Sequence, residues 1–274
     1  MNPRRGTPGV VRGPSNVASA ESGITRDCGV GMSVLSRLLA GAAAVTASLV
    51  GPVIGSPSAS AAPCPDVEVV FARGTFEPPG VGATGEAFVD ALRPQLGGKS
   101  VDIYPVNYPA SLDFATAAEG VIDASNKVRD VAANCPNTKM VLGGYSQGAA
   151  VIGYITEDAV PAGFTLPDGI KGPMAPAVAE HVAAVTLFGK PSNGFLNGID
   201  RDAPPITIGH LYSTKTLELC IPEDPICSPT GNDNGAHGLY AENGMAGQAA
   251  AFAARGVSSS AVTAPLSAMS SQPR

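Results

Sequence analysis

Five consecutive residues, Gly144-Tyr145-Ser146-Gln147-Gly148, could support nucleophilic chemistry. The G-x-S-x-G pattern turns a strand sharply into a helix and holds a serine hydroxyl at the carboxyl edge of a sheet. Such a turn needs small residues where the backbone nears other elements. Gly144 and Gly148 meet that need, and Ala149 and Ala150 continue it. Helix N–H groups at this position face any negative charge that develops on a reacting oxygen. In a chain with 33 glycines the bare pattern is weak. Its context strengthens it: an apolar strand-like run, 139–143, precedes it and a helix candidate, 147–157, follows.

A serine hydroxyl becomes a nucleophile only beside a base. The chain has three histidines. His181 precedes an apolar strand and reads as a surface residue at its start. His210 lies in the apolar stretch 206–212 and reads as a satisfied structural histidine. His237 sits in Gly231-Asn-Asp-Asn-Gly-Ala-His237-Gly238, a loop before the last helical pattern. The order Ser…Asp…His places the base there, with the acid between the two. Glu180, Asp200, Asp202, Glu218, Glu223, Asp224 and Asp233 are all candidates for that acid. Asp224 is favoured because it lies inside Cys220-Ile-Pro-Glu-Asp224-Pro-Ile-Cys227. A bridge across this loop, with Pro225 inside it, suits a residue that holds an imidazole in one tautomer. The plainer reading makes Glu223 and Asp224 solvated turn acids. An oxyanion hole needs two N–H groups. Gln147 supplies one. Thr75, in the loop Arg73-Gly74-Thr75, is the candidate for the second, although Arg-Gly-Thr also reads as an ordinary turn.

These residues need a scaffold. Strand-like runs fall at 67–72, 101–108, 139–143, 182–188 and 216–219. Helical spacing falls at 84–95, 112–133, 147–157 and 241–254. Strands that alternate with helices, and that read as continuous apolar runs, predict a parallel sheet covered on both faces.

With 44% hydrophobic and 15% charged residues, the 274-residue chain can bury a sizeable core. The segment 1–61 reads as a leader. A basic lead is followed by a small and apolar run, 38–54, and by Ala59-Ser60-Ala61, which matches a cleavage site. Cleavage is expected near Ala61–Ala62, with Met32 a possible true start. A membrane anchor is disfavoured, because the run is short, rich in Ala and Gly, and ends at Gly51-Pro52. The leader holds five of the 17 basic and two of the 23 acidic residues, so the remainder has 12 against 21, a net −9. No basic patch stands out, which excludes nucleic acid as an expected partner. Residues 62–256 are expected to form one domain and 257–274 a disordered tail. Of five cysteines, Cys64, Cys135, Cys220 and Cys227 lie beyond the leader. An even count in an exported chain favours two disulfides. Cys220 with Cys227 staples a short loop and leaves Cys64 with Cys135. A zinc site is the weaker reading, since no C-x-x-C spacing occurs.

Four linked motifs carry a resemblance. They are Val-Phe-Ala-Arg73-Gly74-Thr75, Gly-Gly-Tyr-Ser146-Gln-Gly, Cys-x-x-x-Asp224-x-x-Cys, and His237 ten residues after Cys227. Together they resemble the cutinase family, and most of all its mycobacterial cutinase-like esterases, over nearly all of 63–255. The resemblance implies a three-layer α/β/α sandwich, a mostly parallel five-stranded sheet and no large lid. It implies catalytic Ser146, Asp224 and His237, an oxyanion hole from Thr75 and Gln147, and both disulfides. It implies no metal or organic cofactor and a small-molecule or lipid ester as substrate. Position 75 is Thr where fungal cutinases have Ser, so a hydroxyl is kept. A monomer outside the cell or in the cell wall, with no stable membrane anchor, is expected. Lipase, phospholipase A and thioesterase activities share this chemistry and differ in the acyl pocket, which 163–174 and 196–208 are candidates to border. A secreted surface antigen without catalysis is the alternative of another class; the complete set of three residues speaks against it.

Overall fold

The computed structural model describes residues 63–160, 165, 166 and 168–259. The expected leader, its cleavage site and most of the expected tail lie outside the described residues. Valine-rich β1 (Val67–Ala72) leads into α1 (Gly82–Leu92), which tightens into a 3-10 turn at Arg93–Leu96. Then come β2 (Val101–Pro105), α2 (Ala117–Asn134), β3 (Lys139–Tyr145) and α3 (Gln147–Ile155). The short α4 (Pro176–Ala179) precedes β4 (Val182–Phe188). The chain continues through α5 (Asn193–Ile199), α6 (His210–Ser213), β5 (Thr216–Leu219) and α7 (Met245–Ser259).

The five strands form one sheet in the order β2-β1-β3-β4-β5, and every pairing is parallel. Alternation along β1 shows how the two faces fill. Val67, Val69 and Phe71 pack with Phe88 of α1 and the alanines of α7. Val70 and Ala72 pack with α2 and α3 on the other face. Glu68 also turns to that second face, where Lys127 of α2 meets it at 2.9 Å. Between β3 and β4 the register skips Ala183. This bulge puts the consecutive Ala183 and Ala184 on the same face. The Ala-rich α7 presents Ala249, Ala250 and Ala253, all buried, and so lies close to the sheet.

Several expectations change. The helix expected over 112–133 begins at Ala117, after a 3-10 turn at Phe114–Thr116. The second strand was expected over 101–108 but pairs only over Val101–Pro105. Val106 N makes a last bond to Phe71 O of β1 at 2.9 Å, and the buried Arg73 guanidinium then takes the carbonyls of Val106 and Tyr108 as the chain leaves the sheet. The last helix starts at Met245, not 241. Gly244 has φ 88° and Asn243 Oδ1 accepts the Met245 N–H, together fixing a later start. The same helix runs on to Ser259, with Val257 buried, so 257–259 are helical. Residues 260–274 lie outside the described residues. Among the described residues no helix is long and apolar enough to cross a membrane.

Candidate active site

All five strands point their carboxyl ends the same way, and the motif residues gather at that edge. Ser146 stands between β3 and α3 with φ 55° and ψ −120°. A non-glycine residue with positive φ is strained, and the surrounding elements must hold it there. Ser146 N donates to Phe188 O of β4 at 2.9 Å, which pins one side of the turn. On the other side Gly148 lies against β1; a Cβ there would collide with the Ala72 carbonyl. That close approach is the physical reason for glycine in the motif.

His237 lies in a 3-10 turn, Ala236–Gly238. Its Nε2 is 2.8 Å from Ser146 Oγ, and its Nδ1 is 2.7 Å from Asp224 Oδ2. Asp224 is fully buried. Its Oδ1 accepts the Ile226 N–H at 2.9 Å, inside the loop closed by the Cys220–Cys227 disulfide. The second disulfide joins Cys64 to Cys135, at the far end of α2. Gly189 follows β4 with φ 56°, and a Cβ there would press on the His237 and Tyr240 rings. Histidine 237, aspartate 224 and serine 146 are thus brought together, whereas the other candidates lie elsewhere. His181 begins β4. His210 is exposed and pairs with Asp158 at 2.9 Å, so it is satisfied at the surface. Glu218 pairs with Lys190 at 3.2 Å.

Gln147 is the first residue of α3, so its N–H has no intrahelical acceptor. Its side-chain Nε2 donates to Ser111 O at 2.9 Å. Thr75 lies in the turn after β1, which a network of hydrogen bonds shapes. The Glu77 carboxylate accepts from Gly74 N at 2.6 Å and Ala83 N at 2.8 Å. Buried Arg73 donates to Glu77 O at 2.8 Å. Phe76 N donates to Ala110 O at 2.8 Å, tying two residues that both have positive φ.

Sequence reasoning left out four residues that shape this site. Arg73 and Glu77 build the turn that holds Thr75. Tyr145, the variable position of the motif, stacks on His237 with ring centres 5.1 Å apart and donates its O–H to His237 O at 2.6 Å. Burial, with Glu77 and Asp224 adding charge, pushes its phenol up to about 12. Tyr240 is fully buried and donates to Asp224 Oδ2 at 2.7 Å. Burial above all pushes its phenol far above the ordinary value. No local pattern marks Tyr240, whose contact with Asp224 joins residues 16 apart in the chain. Among the described residues, no cluster of three or more His, Cys, Asp or Glu is placed to hold a metal ion.

Comparison with known proteins identifies a family. The cutinase family model matches residues 63–257. Carboxylesterase Culp1 of Mycobacterium tuberculosis is 49% identical over 221 residues, covering 80% of this chain and 94% of the relative. Phospholipase Culp4 of the same species is 47% identical over 221 residues, covering 80% and 90%. A solved Trichoderma reesei cutinase, in complex with a phosphonate inhibitor, is 34% identical with a TM-score of 0.54, covering 71% of this chain and 78% of that one. The strand order, the site at the sheet edge and these similarities lead to one assignment: the chain belongs to the cutinase family.

Proposed function

We propose that this chain is an exported serine esterase that cleaves carboxylic esters through an acyl-enzyme on Ser146. The single observation that carries the reading is the relay from Asp224 through His237 to Ser146, with links of 2.7 and 2.8 Å. His237 takes the hydroxyl proton as Ser146 Oγ attacks the ester carbonyl. The tetrahedral oxyanion is held by the N–H groups of Gln147 and Thr75. His237 returns the proton to the departing alcohol, then activates the water that releases the acid. Asp224 keeps the imidazole oriented throughout. Residues 63–257 act as the catalytic unit. The two disulfides and the leader-like segment 1–61 support export.

Ser146→Ala removes the nucleophile. Hydrolysis of p-nitrophenyl butyrate should fall by about 10⁴-fold or more, while circular dichroism stays unchanged. A fluorophosphonate probe should label the parent and not the variant. Retained hydrolysis in the variant would falsify the assignment of Ser146, and an unlabelled parent would favour a non-catalytic surface protein. The likeness to a protein named a phospholipase favours phospholipid esters as the second reading. Release of fatty acid from phosphatidylcholine vesicles distinguishes the two.

A further inference from the structure

The N–H groups of Thr75 and Gln147 have no acceptor among the described residues. On either side of Thr75 the N–H groups are taken. Gly74 N donates to the Glu77 carboxylate at 2.6 Å, and Phe76 N donates to Ala110 O at 2.8 Å. Two donors serve one oxyanion only if their separation is fixed before the charge develops. These two come from different segments, the turn after β1 and the start of α3.

The segments are joined twice. A Cβ on Gly148 would collide with the carbonyls of Ala72 and Arg73, so the first turn of α3 rests on the end of β1. The second tie runs through Ala110 and Ser111. Ala110 O holds Phe76 N, one residue past Thr75. Ser111 O accepts from Gln147 Nε2 at 2.9 Å. Adjacent carbonyls of one strap thus grip both donor-bearing segments. Arg73 anchors the strap further back, donating to Tyr108 O at 2.6 Å. Among the described residues, Phe76, Ala110 and Ser146 are the non-glycine residues with positive φ. All three lie on this circuit of contacts or one residue from it. Such strain persists only where the surroundings enforce it, and it gathers at working sites.

Packing does not explain a glutamine at 147. The side chain is buried, and its Oε1 accepts no hydrogen bond from the described residues. Methionine or leucine would occupy similar space without stranding a carbonyl. What the amide adds is its one bond to the strap.

We infer that the Gln147 side chain is a positioning group, which through Ser111 fixes the spacing of the two N–H donors. The inference rests on the esterase reading and deepens it, giving residue 147 a role beyond its backbone N–H.

Gln147→Met keeps the bulk and removes the bond. The donors act in the transition state, so kcat for p-nitrophenyl butyrate should fall about tenfold with KM near the parent value. A thionoester, in which sulfur replaces the carbonyl oxygen, reads the donors themselves. Sulfur is a weak hydrogen-bond acceptor, so well-spaced donors discriminate against it. The ratio of kcat/KM for the ester to that for its thionoester should drop about fivefold in the variant. A general loosening of the fold would lower both rates and leave the ratio unchanged. Gln147→Leu removes the same bond with a differently branched side chain, and carries the same expectation should Gln147→Met not fold. The parent's kcat, or the parent's ratio, in either folded variant overturns the inference. If the parent cleaves p-nitrophenyl butyrate no faster than Ser146→Ala does, the esterase reading fails and takes the inference with it.

Discussion

Asp224 Oδ2 accepts two donors, His237 Nδ1 and the Tyr240 hydroxyl, each at 2.7 Å. The hydroxyl in turn accepts the Ile221 N–H at 3.1 Å, so Tyr240 is fixed at both ends. It touches none of the reacting atoms and is a positioning residue. Tyr240→Phe removes one donor from a fully buried carboxylate, a loss of about 1–3 kcal/mol. The imidazole is held less firmly, so kcat/KM should drop about tenfold, carried by kcat with KM near the parent value. A general loosening of the fold would raise KM as well and lower the urea midpoint by more than the lost hydrogen bond accounts for. A folded Tyr240→Phe enzyme with the parent's kcat would sink the idea. At this scale the sequence was informative for Ser146 and His237, because a motif and a chain order constrained them. Asp224 shares its place between two cysteines with Glu223 and was separable from it only by family resemblance. Tyr240, Tyr145 and Arg73 were not legible, because their roles depend on hydrogen bonds between segments far apart in the chain.

The elements divide into those with a periodic signal and those without one. Runs such as Val182–Phe188 are apolar throughout and were readable as buried strands. The short α4, α5 and α6 carry four to seven residues each, too few for a period to show. Their positions come from tertiary contacts, such as Leu196 on Ala150. The two disulfides act on different elements, and their loops differ greatly in length. Cys64–Cys135 spans 71 residues and ties the lead into β1 to the end of α2. Cys220–Cys227 spans seven and closes only the loop that holds Asp224. In a chain-entropy account the long bridge is worth about 4 kcal/mol and the short one about 2.5 kcal/mol. The Cys64→Ala, Cys135→Ala pair should therefore lower the urea midpoint more, with kcat/KM near the parent value in the folded enzyme. The Cys220→Ala, Cys227→Ala pair should lower it less and cut kcat/KM about tenfold or more through a loosened Asp224. Equal effects of the two pairs on activity would contradict this division.

Across the described residues, two packed layers enclose one sheet, and most of the core contacts are apolar. The layered parallel arrangement was legible from the alternation of strands and helices, since each helix must cover one face of the sheet. One buried charge pair crosses between layers and was not legible from pattern. Glu68 is 4% exposed, in a strand that is otherwise valine, phenylalanine and alanine. Lys127 reaches it from α2 at 2.9 Å and lies over the Tyr104 ring, 4.9 Å from its centre. The lysine side chain keeps 22% of its exposure, so its ammonium remains partly hydrated while the carboxylate does not. The two charges therefore contribute unequally. Lys127→Met strands a carboxylate inside the fold and should cost about 3 kcal/mol, at the lower end for a broken buried pair because water still reaches one side. Glu68→Gln leaves an ammonium that can turn toward solvent and should cost about 1–2 kcal/mol. The double variant Glu68→Gln, Lys127→Met has no buried charge. It should recover most of the Lys127→Met loss and cost about 1 kcal/mol, against about 4–5 kcal/mol for the two single losses added, which gives a coupling energy of roughly 3–4 kcal/mol in the cycle. Urea unfolding of the four proteins measures each corner. Additive losses would mean that the pair does not hold α2 to the sheet. In that case the apolar contacts of Val121, Ala124 and Val128 would fix that layer without it.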